Sequence, residues 1–145
     1  MTPWENDLVT RRQYDGFGRE SRTWLPAVVA GNGGAYVPLV RIMSEAKENY
    51  GDRKAYSYPI YESSPLDRVT ELYGPGEKWQ IADRAERIRY LTNDGTDSLE
   101  CLRFSASDYG PTDTVVVVSG TGQYIPGEMY VSRTEDEDGN AAFEF

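Results

Sequence analysis

No histidine occurs anywhere in these 145 residues. Its absence removes the side chain most used as a general base near neutral pH, and the commonest metal ligand. One cysteine, Cys101, cannot form an internal disulfide and leaves no thiol pair for a metal. Basic charge is scarce as well: 15 Lys and Arg stand against 24 Asp and Glu, a formal net charge of −9. Such a chain lacks the basic stripe that a nucleic acid or an anionic membrane surface would need. No apolar run approaches the roughly 20 residues of a membrane-spanning helix. The opening "MTPWENDLVT" has no signal-peptide character. Neither a metal nor a cofactor is expected. With 39% apolar residues, the core should be small, and the length suits a single domain over 1–145.

Strand-forming residues, by contrast, are abundant, with 11 tyrosines among them. Residues 8–15, "LVTRRQYD", read as a strand entering a turn at "DGFG", with 20–29, "ESRTWLPAVV", returning antiparallel. Pro26 puts the far end of that return at an edge or a bulge. "GNGG" at 31–34 is a break. The spacing of Leu39, Ile42, Met43, Ala46 and Tyr50 predicts a helix over 39–50, with Gly51 as its C-terminal stop. Further strands are expected in "KAYSYPIYE", in a short segment through Val69 and Leu72, and in "SLECLRFSA", "EMYVSRT" and "AAFEF". Residues 85–92 suit a strand or a short helix, and "GPG" at 74–76 a loop. "TVVVVSG" reads as a strand buried on both faces. The expected fold is mainly β, with about nine strands and one short helix, built of antiparallel hairpins or ribbons.

Several stretches resemble chemical motifs without meeting their requirements. "AVVAGNGGAY" lacks the third glycine of a dinucleotide-binding loop: Tyr36 occupies that position and Pro38 follows. "DGFGRES" fails likewise at Ser21. It reads as a turn at Asp15-Gly16 that Arg19 could close by pairing with Asp15. "TEDEDGNAAFEF" offers Thr134, Asp136 and Asp138 at calcium-loop positions, but Phe145 falls where the closing Glu belongs. Asp138-Gly139 between strand-like arms is instead a hairpin turn. Trp4, Trp24, Trp79 and the tyrosines could form a sugar-stacking platform or cross-strand packing. Facing carboxylates for glycoside hydrolysis cannot be picked out among 24 acids. Cys101 reads as a small buried hydrophobe.

"YDGFGRES" resembles the Tyr-Asp repeat of the Rhs family of large bacterial surface and secreted proteins, through Tyr14, Asp15, Gly18 and Arg19. Longer blocks resemble the region that precedes the repeat array in Bacteroidetes members. In the first, Tyr61, Glu62, Ser64, Pro65, Leu66, Arg68, Val69, Glu71, Pro75, Gly76 and Trp79 match. Later blocks match at Pro126, Gly127 and Tyr130, then at Asp136, Glu137, Gly139 and Asn140. Only one full Tyr-Asp motif is present, and the family's shell-closing motif and C-terminal toxin are absent. The resemblance therefore implies a segment of a larger protein, with Met1 as an introduced start.

It further implies a secreted or cell-surface location and a non-catalytic role: bracing a β-shell that encloses or delivers a C-terminal effector. Under it, Gly18 and Gly139 supply turn conformations, and Asp15 and Asp136 accept backbone N–H groups. Tyr14 and Tyr130 pack across strands, and Pro65 and Leu66 anchor a crossing loop. Partners would be adjacent Tyr-Asp repeats of the parent chain, or a second copy through an exposed strand edge. Residues 128–145 should form a two-stranded ribbon with such an edge. A carbohydrate-binding β-module and a carboxylate glycosidase remain as other readings.

Overall fold

The computed structural model describes residues 6–96, 98–106 and 118–145. Nine strands and two helices are defined there: β1 (Asn6–Tyr14), β2 (Glu20–Ala30), α1 (Leu39–Tyr50), β3 (Tyr56–Tyr61), β4 (Val69–Tyr73), α2 (Glu77–Ile81), β5 (Ala85–Thr92), β6 (Leu102–Ala106), β7 (Val118–Gln123), β8 (Tyr130–Glu135) and β9 (Ala141–Glu144). All pairings described are antiparallel. Among the described residues no helix is long and apolar enough to cross a membrane.

Contacts divide the chain into two compact units. The first comprises Met1–Arg87 with Glu135–Asn140, the second Ile88–Thr134 with Ala141–Phe145. In the first, strands lie in the order β1-β2-β3-β4-β5. β1 alternates strictly between exposed and half-buried residues, the period-two pattern of a sheet with one wet face. Between Val9↔Ala27 and Arg11↔Trp24 the register slips, so Leu25 and Pro26 face a single residue. Proline lacks the N–H a ladder needs, and the bulge accommodates that loss.

The core of this unit gathers Trp24, Ala27 and Val29 of β2, Ile42 and Ala46 of α1, Val37 and Ala55. α1 spans the expected residues, and Gly51 ends it at φ 64°, its N–H donating to the Lys47 carbonyl. Its buried stripe is narrower than the spacing predicts: Met43 and Tyr50 are both about half exposed. Tyr50 lies at the rim and donates its hydroxyl to the Pro26 carbonyl at 2.6 Å. Tyrosines extend the packing across strands. Trp24 and Tyr56 are register partners with ring centroids 4.8 Å apart, and Tyr58 and Tyr73, also partners, stack at 4.7 Å. Such pairs contribute about 0.5–1.5 kcal/mol each beyond the area they bury.

The "GNGG" loop is clasped by an acid rather than shaped for phosphate. The Asp7 carboxylate accepts the Gly34 N–H at 2.7 Å and the Asn32 side-chain amide at 3.0 Å. The Gly34 bond, then the Asn32 bond, hold Asp7 below the usual carboxylate range.

In the second unit, the remainder of β5 is followed by β8 and β9, and β6 pairs with β7. Its hub is Asn93, 1% exposed. The Asn93 amide donates to the carbonyls of Tyr124 and Ile125, its Oδ1 accepts the Met129 N–H, and its backbone bonds Met129 and Gly127. One buried side chain thus holds the loop between β7 and β8 and leaves none of its polar atoms orphaned. Val131 is buried nearby in sequence on β8.

Three expectations need correction here. The strand expected across 98–106 begins only at Leu102, so Cys101 lies outside it and is half-buried rather than buried. Val118, the described valine of the "TVVVVSG" run, is 64% exposed, because β7 pairs only with β6 and no layer covers it among the described residues. Residues 114–117 of that run lie outside the described residues. Finally, "GPGEKWQ" contains a helical turn, α2. Five residues show no periodicity, and the N–H groups at its start are satisfied from a distance: Asp52 accepts the Glu77 N–H at 2.9 and 3.1 Å.

Candidate functional site

The residues singled out by motif converge on two hairpin turns of one design. In the first, which joins β1 to β2, Asp15 Oδ1 accepts the N–H groups of Phe17 and Arg19 at 2.8 and 3.0 Å. Asp15 Oδ2 accepts Arg19 Nε at 2.8 Å. The backbone closes through Gly18 N–H to the Asp15 carbonyl, 3.1 Å, and Asp15 N–H to the Arg19 carbonyl, 2.8 Å. Gly18 has φ 82°.

The second turn, which joins β8 to β9, repeats this bond for bond. Asp136 Oδ1 accepts Asp138 and Asn140 N–H at 3.0 and 2.8 Å, and Asp136 Oδ2 accepts the Asn140 side-chain amide at 2.9 Å. Gly139 N–H reaches the Asp136 carbonyl at 3.1 Å, and Asp136 N–H the Asn140 carbonyl at 2.9 Å. Gly139 has φ 88°. Both are three-residue hairpin loops in which a turn is followed by a left-handed residue, a position that suits glycine.

The expected roles of Asp15, Gly18, Asp136 and Gly139 match this geometry. The expected turn positions need adjustment. Gly16 is not at positive φ, and neither loop is the two-residue type suggested by the Asp-Gly pairs. The meaningful spacing is Asp at i, Gly at i+3 and a side-chain donor at i+4, here Arg19 or Asn140.

These bonds act on the carboxylates. Partial burial pushes Asp15 up, but the Arg19 side chain and the N–H groups of Arg19 and Phe17 outweigh it and hold the group low. The Asn140 side chain, then its N–H, depress Asp136. With both its oxygens occupied in the turn, Asp136 is poorly placed as a calcium ligand. Among the described residues no three His, Cys, Asp or Glu side chains gather to hold a metal.

Each turn is also tied to the block between Tyr61 and Arg84. Arg19 extends from the first turn to Asp67, Nη1 to Oδ1 at 3.0 Å, and its guanidinium lies 4.5 Å from the centroid of the Tyr61 ring and 5.1 Å from that of Phe17. The Tyr61 hydroxyl donates back to the Glu20 carbonyl at 2.9 Å. Glu62 grips its own loop. It receives Arg68 Nε at 2.8 Å, Arg68 Nη2 at 3.0 Å and the Ser64 hydroxyl at 2.6 Å. The Arg68 side chain, then Ser64, lower its pKa. Phe17, Arg19, Tyr61, Glu62, Pro65 and Asp67 line an open cleft of about 660 Å³. At the second turn the polarity is reversed: Asp138 accepts from Arg84 at 3.4 Å, and Arg84 lies 5.0 Å from the centroid of the Trp79 ring. In both cases an arginine resting on an aromatic ring connects a turn to the same block.

Some expected anchors do not serve as such. Pro65 and Leu66 are exposed, Leu66 by 66%, and the loop is held by Glu62, Ser64 and Arg68 instead. Tyr14 and Tyr130 are 61% and 87% exposed rather than packed across strands. For Tyr14 the reason is parity, since it falls on the wet face of β1. As for a sugar platform, Trp24 is 2% exposed, with its indole N–H on Gln13 Oε1 at 2.9 Å. Trp79 is 38% exposed but has Arg84 over its ring. Trp4 lies outside the described residues. Sequence reasoning missed Asn93, Asp52 and Asp7. Each is a single polar residue whose partners lie at least 25 positions away.

The expected terminal ribbon is present. β8 and β9 are neighbours, β9 is last in the strand order, and every residue of β9 is exposed. Phe143 and Phe145 are 38% and 46% exposed.

Neither the curated proteins nor the solved structures contain a match to this chain. A family profile matches residues 1–92, which holds the first turn and its whole anchoring block. The chain belongs to the family described as a domain of unknown function, DUF6443.

Proposed function

We propose that this chain is a non-catalytic structural segment of a secreted or cell-surface Rhs/YD-repeat protein, in which it braces a β-shell around a C-terminal effector. The observation that carries the reading is the tethering of the turn at Tyr14, Asp15, Gly18 and Arg19. A repeat-type turn normally needs only its own residues to close. Here Arg19 also binds Asp67 and stacks on Tyr61, both in a loop 42 or more positions later. That arrangement holds a ribbon end against a fixed body, which is the task of a segment that opens or braces an array. The second turn, with the same bonding and its own arginine tether, supports the same role. Its β9 edge is where a following ribbon of the parent chain, or a second copy, would pair.

The test is to express residues 1–145 alone and with the natural downstream reading frame, and to compare amide exchange. Protection of Ala141–Glu144 should rise by on the order of tenfold or more when the following ribbon is attached. A downstream frame without further Y-D-x-x-G-R units, or unchanged exchange in β9, would sink the proposal.

A further inference from the structure

The "PGEKW" stretch is not absorbed by the turn-bracing role, and it borders a second cleft, of about 500 Å³. Lys47, Arg53, Lys78 and Trp79 line it. The chain has three lysines in all, and the third, Lys54, adjoins this wall, its carbonyl accepting the Gly76 N–H at 2.8 Å. Among the described residues Lys47, Arg53 and Lys78 have no ion-pair partner, whereas most arginines nearby in the unit do. Of the two acids lining this cleft, Asp52 is spent on backbone: its oxygens accept the N–H groups of Lys54 and Glu77. Glu77 alone remains to offset three cations.

The indole ring of Trp79 is occupied by Arg84 on its face. Its N–H has no partner among the described residues and can donate to a ligand. Glycines at 74 and 76 keep that edge clear, since a Cβ at either would come within 3.6–3.7 Å of Trp79. The cleft therefore presents donors and positive charge, with no open aromatic face. That composition suits an extended chain of carboxylates. It does not suit a pyranose ring or a nucleobase, which would need the ring face for stacking.

We propose that this cleft docks an acidic polypeptide segment carrying several closely spaced carboxylates. Charge complementarity supports that occupant, and a neighbouring contact shows the same chemistry: Asp138 already reaches the Arg84 that rests on Trp79. The proposal does not depend on the shell-bracing role and can fail or hold separately from it.

The test uses the full 145-residue chain with two probes of equal charge, hexaglutamate and hexagalacturonate, at low salt. Hexaglutamate should bind, and the Lys47→Glu/Lys78→Glu double variant should weaken it by roughly tenfold or more. Trp79→Phe keeps a ring but removes the N–H, and should weaken binding by about two- to fivefold. Arg12→Glu, a charge reversal outside this cleft, should change it by less than about twofold. Circular dichroism checks that each variant is folded. The proposal is overturned if hexaglutamate does not bind, if the double reversal leaves binding unchanged, if Arg12→Glu weakens it equally, or if hexagalacturonate binds more tightly.

Discussion

The turn at residues 15–19 and the turn at 136–140 share every backbone bond and every carboxylate bond, yet their surroundings differ. The first is backed by β2, which buries Trp24, Ala27 and Val29 against α1. The second leads into β9, whose residues are all exposed. The first carries its own tether, Arg19, while the second borrows Arg84. Local chemistry can therefore specify the same turn twice, but how firmly each turn is held depends on what lies behind it.

Ile42→Ala tests that dependence most severely. Ile42 is fully buried between α1 and β2, and its truncation should cost about 2–5 kcal/mol. Amide exchange should accelerate across Trp24–Val29 with little change at Asp136–Asn140. Equal acceleration at both turns would mean that the two are supported in common, and the contrast would fall.

Substituting the left-handed glycines comes next. At φ 82° and 88°, Gly18→Ala and Gly139→Ala each force a side chain into a region that costs about 1–2 kcal/mol. No atom lies within 4 Å of the added Cβ at either site, so strain alone should act, and the two costs should agree. Denaturant titration of both variants checks this. A clear difference would show that one turn relaxes because its strands are loosely held.

Acid should act on both turns together. Asp15 and Asp136 sit below the ordinary value of 3.8, and Glu62 below 4.5. A carboxylate depressed in the folded state adds stability above its unfolded pKa, and this is lost as pH falls through the folded value. Stability from these three groups should hold from neutrality to about pH 4.5 and then decline below it. Asp15→Asn with Asp136→Asn should flatten that decline, as read from thermal unfolding against pH.

The smallest effect is expected from Arg19→Asn, which makes the first turn chemically like the second. Turn closure should survive, because Asn140 closes its own turn in this way. The tether to Asp67 and Tyr61 would be lost, so faster exchange should be confined to residues 62–68. Opening of the turn itself would show that Arg19 is needed for closure.

Much of this was legible from residue order because it rests on local geometry. The helix over 39–50 and its Gly51 stop follow from spacing and from the one residue type that enters the left-handed region freely. The bulge at Pro26 follows from a missing N–H. The strands flanking each turn follow from β-branched and aromatic content. Within the site, Asp15, Gly18, Arg19, Asp136, Gly139 and Asn140 could be named because a turn's donors and acceptors lie within five residues.

What lay beyond reach was set by partners distant in the chain. Residue order alone determined the strands, the helix and two acid-closed turns, since each is satisfied by neighbours a few positions away. Only the tertiary structure decided that Tyr14 faces water and Trp24 does not, because parity and sheet neighbours assign a strand's faces. It also placed Arg19 on Tyr61, Arg84 on Trp79, Asp52 at the start of α2 and Asn93 at the centre of a loop. Each of those bonds joins groups far apart in sequence, and a polar side chain carries no mark of which distant donor it will meet.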